Sequence, residues 1–208
     1  MMKRCLSIFF SMSLLPLFSL VLAQEVKQEV KKEEAPKPKY VGVGKCMTCH
    51  KMKARGDQYS IWLASKHAKA YESLASEKSL EFAKALSIKE PQKSEKCLKC
   101  HVTAFGVDTT QLGEKFTVEE GIGCEACHGA GEFYSKASLK APKKWEEDPK
   151  GMHKQVLDAG LIVPTAETCV KCHNKESPTY KEFKYEEFAS KIAHPRPKVA
   201  AEKPKSTE

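Results

Sequence analysis

Four copies of the sequence Cys-x-x-Cys-His use eight of the nine cysteines in this chain of 208 residues. This spacing is the attachment signature of c-type haem: the two thiols bond covalently to the vinyl groups, and the following histidine binds the iron. The sequence therefore predicts four covalently bound haems. The attachment cysteines are Cys46 and Cys49, Cys97 and Cys100, Cys124 and Cys127, and Cys169 and Cys172, with the proximal histidines His50, His101, His128 and His173.

Paired cysteines also occur in zinc sites and in redox-active dithiols. Here every pair carries the trailing histidine, and the one remaining cysteine, Cys5, lies in an apolar N-terminal segment. We therefore favour haem over both alternatives. Eight cysteines in an exported protein would otherwise suggest disulfides. Because haem attachment uses the same thiols, we expect no disulfide.

The N-terminal segment has the pattern of a secretory signal peptide. Lys3 and Arg4 precede an apolar run at residues 5–22, and Ala23 supplies a small residue for cleavage. The run approaches the length of a membrane-spanning helix, but Pro16 and Ala23 favour cleavage. We expect residues 1–23 to be removed, leaving a periplasmic or otherwise exported protein with no stable membrane anchor.

Composition divides the remaining chain. Residues 24–40 are rich in Lys, Glu and Pro and predict a disordered linker, and residues 198–208 predict a disordered tail of similar character. Residues 41–197 between them form one predicted tetrahaem domain of ordinary size. The sequence leaves its oligomeric state open.

A modest positive charge does not indicate nucleic-acid binding. Two of the 35 basic residues lie in the signal segment, so the mature chain has 33 basic and 27 acidic residues, a formal charge of +6. Haem propionates could cancel this excess. We interpret the charge as a solvated surface and expect no nucleic-acid partner.

Periodicity predicts a mainly α fold with extensive coil. An apolar face at helical spacing predicts a helix over residues 57–76, and a shorter helix follows at 79–86. Residues 158–163 and 185–192 give weaker helical or irregular signals, and no stretch alternates as a strand would. Large apolar residues are only moderately abundant, so we expect a compact core built mainly around the four haems.

The number of histidines limits iron ligation. Four haems with two histidine ligands each would need eight, and the chain has seven. The missing ligand is another side chain, a residue of a neighbouring molecule, or an open coordination position. An identical partner chain has the same count per subunit, and Met47, Met52 and Met152 are poorly placed. We favour one five-coordinate haem. The candidate distal ligands are His67, His153 and His194, which could instead be core or surface histidines.

The chain resembles the tetrahaem cytochrome c-554 family. Three segments carry the resemblance: YxxWxxSxHAxAY at residues 59–71, GCEACHGAG at 123–131 and CHNxESPT at 172–179. It covers about residues 42–197. The family pattern implies an electron carrier with three bis-histidine haems and a five-coordinate, high-spin haem at the second motif.

Carried over residue by residue, the resemblance implies a pairing of distal ligands with haems. His67 would serve the third motif, His153 the first and His194 the fourth. Members of the family often have Gly-Pro-Gly and a histidine soon after the third motif. This chain has Gly-Ala-Gly-Glu-Phe-Tyr at residues 129–134 instead. That departure affects His153 most, and Tyr134 is the outside candidate for its site.

These patterns predict an exported electron carrier that exchanges electrons with redox partner proteins. The alternative is an enzyme that reduces nitric oxide, another small nitrogen oxide or peroxide at the five-coordinate haem. No convergent acid and base surround the second motif in the sequence, which favours the carrier.

Overall fold

The computed structural model describes residues 36–140 and 143–195. These residues belong to one compact unit that begins at Pro36. The predicted signal peptide at 1–23, most of the predicted linker at 24–40 and the predicted tail at 198–208 lie outside the described residues.

The described chain consists of short α-helices joined by turns, single turns of 3-10 helix and coil, which confirms the predicted fold class. Its one recorded β feature is an isolated parallel bridge between Tyr40 and Leu112. The helices are α1 (Val43–His50), α2 (Gln58–Leu63), α3 (Ala70–Ser73), α4 (Glu77–Ala85), α5 (Glu95–His101), α6 (Cys124–His128), α7 (Glu132–Lys140), α8 (Lys144–Glu147), α9 (Pro149–Asp158), α10 (Ala166–Val170) and α11 (Tyr185–Ile192).

Backbone hydrogen bonds attach the end of the predicted linker to the domain. The Tyr40 N–H donates to the Gln111 carbonyl at 2.7 Å, and the Tyr40 carbonyl accepts from the Gly113 N–H at 2.8 Å. The Lys39 N–H donates to the Glu132 carboxylate at 2.9 Å. Lys39 and Tyr40, which the sequence assigned to the linker, are therefore hydrogen-bonded to the domain.

The helix predicted over residues 57–76 is interrupted, so that prediction was wrong in its middle. Turns at residues 64–69 separate α2 from α3. The carbonyl of His67 accepts from the Ile122 N–H at 3.0 Å, and a Cβ at Gly121 would lie 2.8 Å from that oxygen. Long-range packing against the segment before the third motif thus overrides the helical periodicity and presents His67 on a turn.

Trp62 joins α2 to the same segment, since its Nε1–H donates to the Ile122 carbonyl at 2.8 Å. Replacing Trp62 by phenylalanine removes this donor while retaining an aromatic ring. We expect a loss of about 1–2 kcal/mol in the free energy of unfolding, measured by denaturant titration. Trp145→Phe is the control, because the Trp145 partner is the Ser138 hydroxyl, which can turn to another acceptor or donor. An equal effect of both changes would contradict the importance of the Ile122 contact.

The other helix predictions had mixed outcomes. The helix expected at 79–86 is α4, and its N-terminus is capped by Ser76, whose hydroxyl accepts from the Ser79 N–H. The weak signal at 185–192 corresponds to α11, but residues 159–163 follow the end of α9 and are not helical. Helix α9 was missed, although Asp148 caps it and Pro149 stands at its first turn.

The side-chain core of the described residues is small. Its buried apolar members are Val43, Leu74, Ala83, Val102, Met152 and Val156, and no large side chain is fully enclosed. Many large apolar side chains are exposed instead, among them Leu63 at 50% and Val170 at 45%. A domain of this size ordinarily encloses much more apolar surface. This distribution fits a fold in which bound porphyrins cover the apolar side chains.

Candidate multihaem centre

Each Cys-x-x-Cys-His motif lies on or beside a short helix. The first motif ends α1, the second ends α5 and the third fills α6, while Cys169 is in α10 and Cys172 and His173 follow it. Residues three apart in a helix share a face, so each geometry directs two thiols to the same side. All eight motif cysteines are unpaired and partly exposed. The thiols are therefore accessible for covalent attachment to a flat cofactor.

Three proximal histidines are oriented by a hydrogen bond at Nδ1. His50 Nδ1 meets the Gln58 side-chain oxygen at 3.1 Å, His101 Nδ1 meets the Ala70 carbonyl at 2.7 Å, and His128 Nδ1 meets the Ile162 carbonyl at 2.9 Å. All three partners are acceptors, so Nδ1 carries the proton. The unprotonated Nε2 is then free to bind a metal, the arrangement found around metal-ligating histidines.

His173 of the fourth motif is held by ring packing. Its ring stacks on Phe183 with 4.6 Å between centroids and 17° between planes, and Phe183 stacks on Phe188 at 5.2 Å. Partial burial lowers the pKa of His173. The ring is thus favoured in the neutral state that metal coordination requires.

The structure brings the candidate distal histidine His67 to the fourth motif. The ring centroids of His67 and His173 are 6.0 Å apart, with 74° between planes. Burial, reinforced by His173, lowers the pKa of His67. Two neutral imidazoles at this separation leave room for one metal atom between nitrogens that each bind it at about 2 Å.

His194 lies beside the third motif in the same way. Its ring centroid is 5.9 Å from that of His128, with 46° between planes. Much of His194 remains exposed, but partial desolvation and the neighbouring His128 and His50 lower its pKa. The separation of these two imidazole rings therefore also leaves room for one metal atom between them.

These two ring pairs differ from the pairing that the family resemblance implies. His67 was assigned to the third motif and His194 to the fourth, whereas the structure places His67 at the fourth and His194 at the third. The physical reason is the turn at residues 64–69, which places His67 outside α2 with its carbonyl bonded to the Ile122 N–H. The order of residues along the chain does not indicate which motif each of these two histidines approaches.

His153 lies on α9 and is partly exposed; within the described ranges no other ring is recorded against it. The alternative residue, Tyr134, donates its hydroxyl proton to the Gly129 carbonyl at 2.9 Å. Burial, with Cys46 and Glu125 nearby, raises the pKa of Tyr134. A neutral phenol is a poor iron ligand compared with phenolate, so the geometry disfavours Tyr134.

The thiols of different motifs are neighbours in a definite order. Cys46 lies near Cys124, and the proximity of Cys124 is the largest cause of the raised pKa of Cys46. Burial and then Cys169 raise the pKa of Cys127. Burial and then Cys100 raise the pKa of Cys172 to about 12. Contacts support the same order: Glu125 of the third motif binds the N–H groups of Val41 and Gly42 just before the first, and the Cys172 thiol of the fourth contacts the Lys99 carbonyl of the second at 3.9 Å. The motifs therefore neighbour one another in the order first, third, fourth and second.

A buried glutamate, Glu125, and a half-buried one, Glu120, join the first and third motifs, and sequence reasoning did not identify them. Glu125, only 4% exposed, accepts the N–H groups of Val41 at 2.8 Å, Gly42 at 2.9 Å and Gly131 at 2.6 Å. Glu120 accepts the Val43 N–H with both carboxylate oxygens. Burial raises the pKa of both carboxyls. Because Glu125 lies inside a motif, the sequence could have drawn attention to it, but it could not have identified its hydrogen-bond partners.

Comparison with known proteins agrees with this geometry. Residues 45–129 match the family described as "Cytochrome c554 and c-prime". Cytochrome c-554 of Nitrosomonas europaea is 31% identical over 144 residues, 64% of this chain and 57% of that protein. The chain is similar to cytochrome c-554 and carries the haem motifs of c-type cytochromes. The structure of reduced cytochrome c554 from Nitrosomonas europaea has a TM-score of 0.51 and 27% identity, covering 75% of this cytochrome and 79% of that chain.

The family resemblance predicted from the three sequence segments is confirmed, and with it the cofactors. This cytochrome has four covalently attached c-type haems, and the four motifs are the residues that would hold them. The alignment spans 57% of the curated relative, so the activity and partners of the whole relative do not transfer with the resemblance. No helix among the described residues has the length and apolar character needed to cross a membrane.

Proposed function

We propose that this cytochrome is an exported electron carrier that exchanges electrons with redox partner proteins. The observation that carries the proposal is that the four motifs neighbour one another in the order first, third, fourth and second, with direct contacts between the first and third and between the fourth and second. When bound, the haems supply reversible one-electron chemistry at iron. The polypeptide contributes a fixed order of attachment points and an oriented imidazole at each.

The ligand assignment follows the ring pairs. We assign His67 with His173 at the fourth motif and His194 with His128 at the third. His153 is the remaining histidine, and we assign it to the first motif with His50. No histidine is then left for the second motif, where we place the five-coordinate haem with His101 as its single protein ligand. The seven histidines thus support three low-spin sites and one high-spin site.

Lysines around the motifs support weak docking of acidic partner proteins. Exposed lysines flank three motifs, at positions 45, 51 and 53, at 96 and 99, and at 171 and 175. Charges on a surface of this kind speed encounter and lose their influence as salt rises. The signal pattern at residues 1–23 supports export, so we place these partners outside the cytoplasm.

A reductase is the second candidate, and it depends on the open position at the second motif. The residues near that motif include Lys99, which pairs with Glu176 across to the fourth motif. Asp108 caps a 3-10 turn by accepting from Thr110. Both charged groups are already engaged at exposed positions. The geometry therefore favours a carrier over an enzyme with a positioned acid and base.

The two functions are separated by titrating purified holoprotein and then adding nitric oxide, nitrite or hydroxylamine. A carrier takes up and releases four electrons reversibly, binds at most one nitric oxide, and does not consume these molecules catalytically. Transfer to an acidic partner should slow as ionic strength increases. Sustained multiple turnovers of any one of them at the expense of a reductant would overturn the carrier proposal in favour of the enzyme.

A further inference from the structure

The side chain of Gln58 connects two haem sites that are far apart in the sequence. It is 7% exposed and lies at the start of α2. Its oxygen meets His50 Nδ1 at 3.1 Å, and its amide nitrogen donates to the Pro195 carbonyl at 2.8 Å and to the Arg55 carbonyl. Pro195 directly follows His194, so one amide contacts the proximal histidine of the first motif and the backbone beside a candidate ligand of the third.

The orientation of the amide follows from its partners. Two carbonyl oxygens can only accept, so the NH2 group faces them and the side-chain oxygen faces His50. That oxygen requires a proton on His50 Nδ1 and leaves Nε2 free for iron. Every polar group of the Gln58 side chain is then used, which is the condition for burying an amide at low cost.

Gly56 provides an independent indication that the approach of residue 195 is specific. Its φ of +101° favours glycine, and a Cβ there would lie 2.7 Å from Gln58 Nε2 and 2.9 Å from the Pro195 carbonyl oxygen. A side chain at position 56 would therefore displace the contact. The turn between α1 and α2 is shaped to let the C-terminal segment reach Gln58.

We propose that Gln58 is a positioning residue shared by the haems of the first and third motifs. Its oxygen fixes the tautomer and the electron donation of His50, because an acceptor at Nδ1 raises the basicity of a histidine ligand. Its NH2 group holds the His194 segment so that the ring stays against His128. The second part rests on the proposed assignment of His194 as a ligand, and the first part does not.

Two substitutions separate these roles. Gln58→Leu removes both the acceptor and the donors at similar volume. Gln58→Glu keeps and strengthens the acceptor toward His50, but its second carboxylate oxygen replaces the NH2 group and repels the Pro195 and Arg55 carbonyls. We expect the reduction potential of the first-motif haem to rise in the leucine variant and fall in the glutamate variant. Both variants should release His194 and convert part of the third-motif haem to high-spin.

The experiment uses the full mature holoprotein, with haem content measured against protein, spin states by electron paramagnetic resonance, and potentials assigned by paramagnetic NMR. Gln111→Leu is the control, because the Gln111 amide makes one long contact with the Pro38 carbonyl at 3.5 Å and touches no motif. It should change neither the potentials nor the spin states. If the leucine variant does not mature, Gln58→Met, which also lacks the amide, takes its place with the same expected direction.

Shifts of the first-motif potential in the same direction in both variants, or no shift, would overturn the action of Gln58 on His50. An unchanged third-motif spin state would overturn the hold on His194. These outcomes differ from a failure of the proposed function, which would show as fewer than four haems or catalytic turnover in the unmodified protein. If His194→Ala left the third-motif haem low-spin, the ligand assignment would fall while the test on His50 would stand.

Discussion

Replacing His67 by alanine is expected to convert the haem of the fourth motif from low-spin to high-spin. The His67 ring lies 6.0 Å from the ring of His173 and is held there by the turn at residues 64–69. Alanine offers no ligand, and the cavity it leaves is too small for another side chain to enter without rearrangement. The number of high-spin irons should rise from one in four to two in four. Electron paramagnetic resonance and resonance Raman spectroscopy measure this directly.

The potential of the same haem should rise as well, since axial ligand identity shifts haem potentials over a range of about 0.8 V. Free imidazole added to His67→Ala should enter the cavity and restore the low-spin spectrum. Lys66→Ala is the matched control: the neighbouring residue is exposed and its removal should leave all four spin states unchanged.

The identity of the converted haem decides between two pairings. Contacts from Phe183, which stacks on His173, should connect the altered NMR signals with the fourth motif. Altered signals at the third motif would support the family-implied pairing instead. An unchanged number of high-spin irons would show that His67 is a half-buried core histidine with no role in ligation.

Replacing Glu125 by alanine is expected to destabilise the junction of the first and third motifs strongly. The carboxylate satisfies three backbone N–H groups, of Val41, Gly42 and Gly131, at a position only 4% exposed. Each unsatisfied buried group costs about 1–3 kcal/mol. The free energy of unfolding should therefore fall by about 3–6 kcal/mol, a large fraction of ordinary domain stability.

Denaturant titration of the holoprotein measures this loss, and reduced haem content at the first motif should accompany it. Glu119→Ala provides the control, because Glu119 is exposed and should change stability very little. A loss no larger than that of the control would show that water or neighbouring groups replace the Glu125 contacts.

The pH dependence of the same position follows from the sign of its shift. Burial raises the pKa of Glu125 above its ordinary value of 4.5. A carboxyl with a raised folded pKa stabilises the fold when protonated, and this contribution is lost as pH rises from 4.5 through the higher folded value. Glu125→Gln, which cannot ionise, should flatten the dependence of unfolding free energy on pH in that window. An identical pH profile in both proteins would contradict it.

The features that were predictable from the sequence are those with local signals. Covalent attachment needs two thiols and an imidazole within five positions, so the four motifs identify the haems directly. The short helix α4 also carries its own cap and periodicity. The missing eighth histidine is a property of composition, and it led to the five-coordinate assignment without any coordinates.

What could not be predicted depends on contacts between distant residues. The break in the helix at residues 64–69 is imposed by Gly121 and Ile122, and the hold on the C-terminal segment by Gln58 spans 137 positions. The spacing of apolar residues along the chain carries no information about such contacts. The same limitation applies to the distal histidines. The structure places His67 at the fourth motif and His194 at the third, the reverse of the family-implied pairing, because the motif a histidine reaches depends on the fold and not on order along the chain.

The small side-chain core affects how quickly the haem-free protein is degraded in the cell. The described part of the chain has only six buried apolar residues. A polypeptide without its haems would therefore have too small a core to stay folded, and unfolded chains are cleaved readily by proteases. Molecules without haem should therefore be degraded quickly. The steady amount of this protein would then follow the supply of porphyrin and iron more closely than the rate of synthesis of its chain.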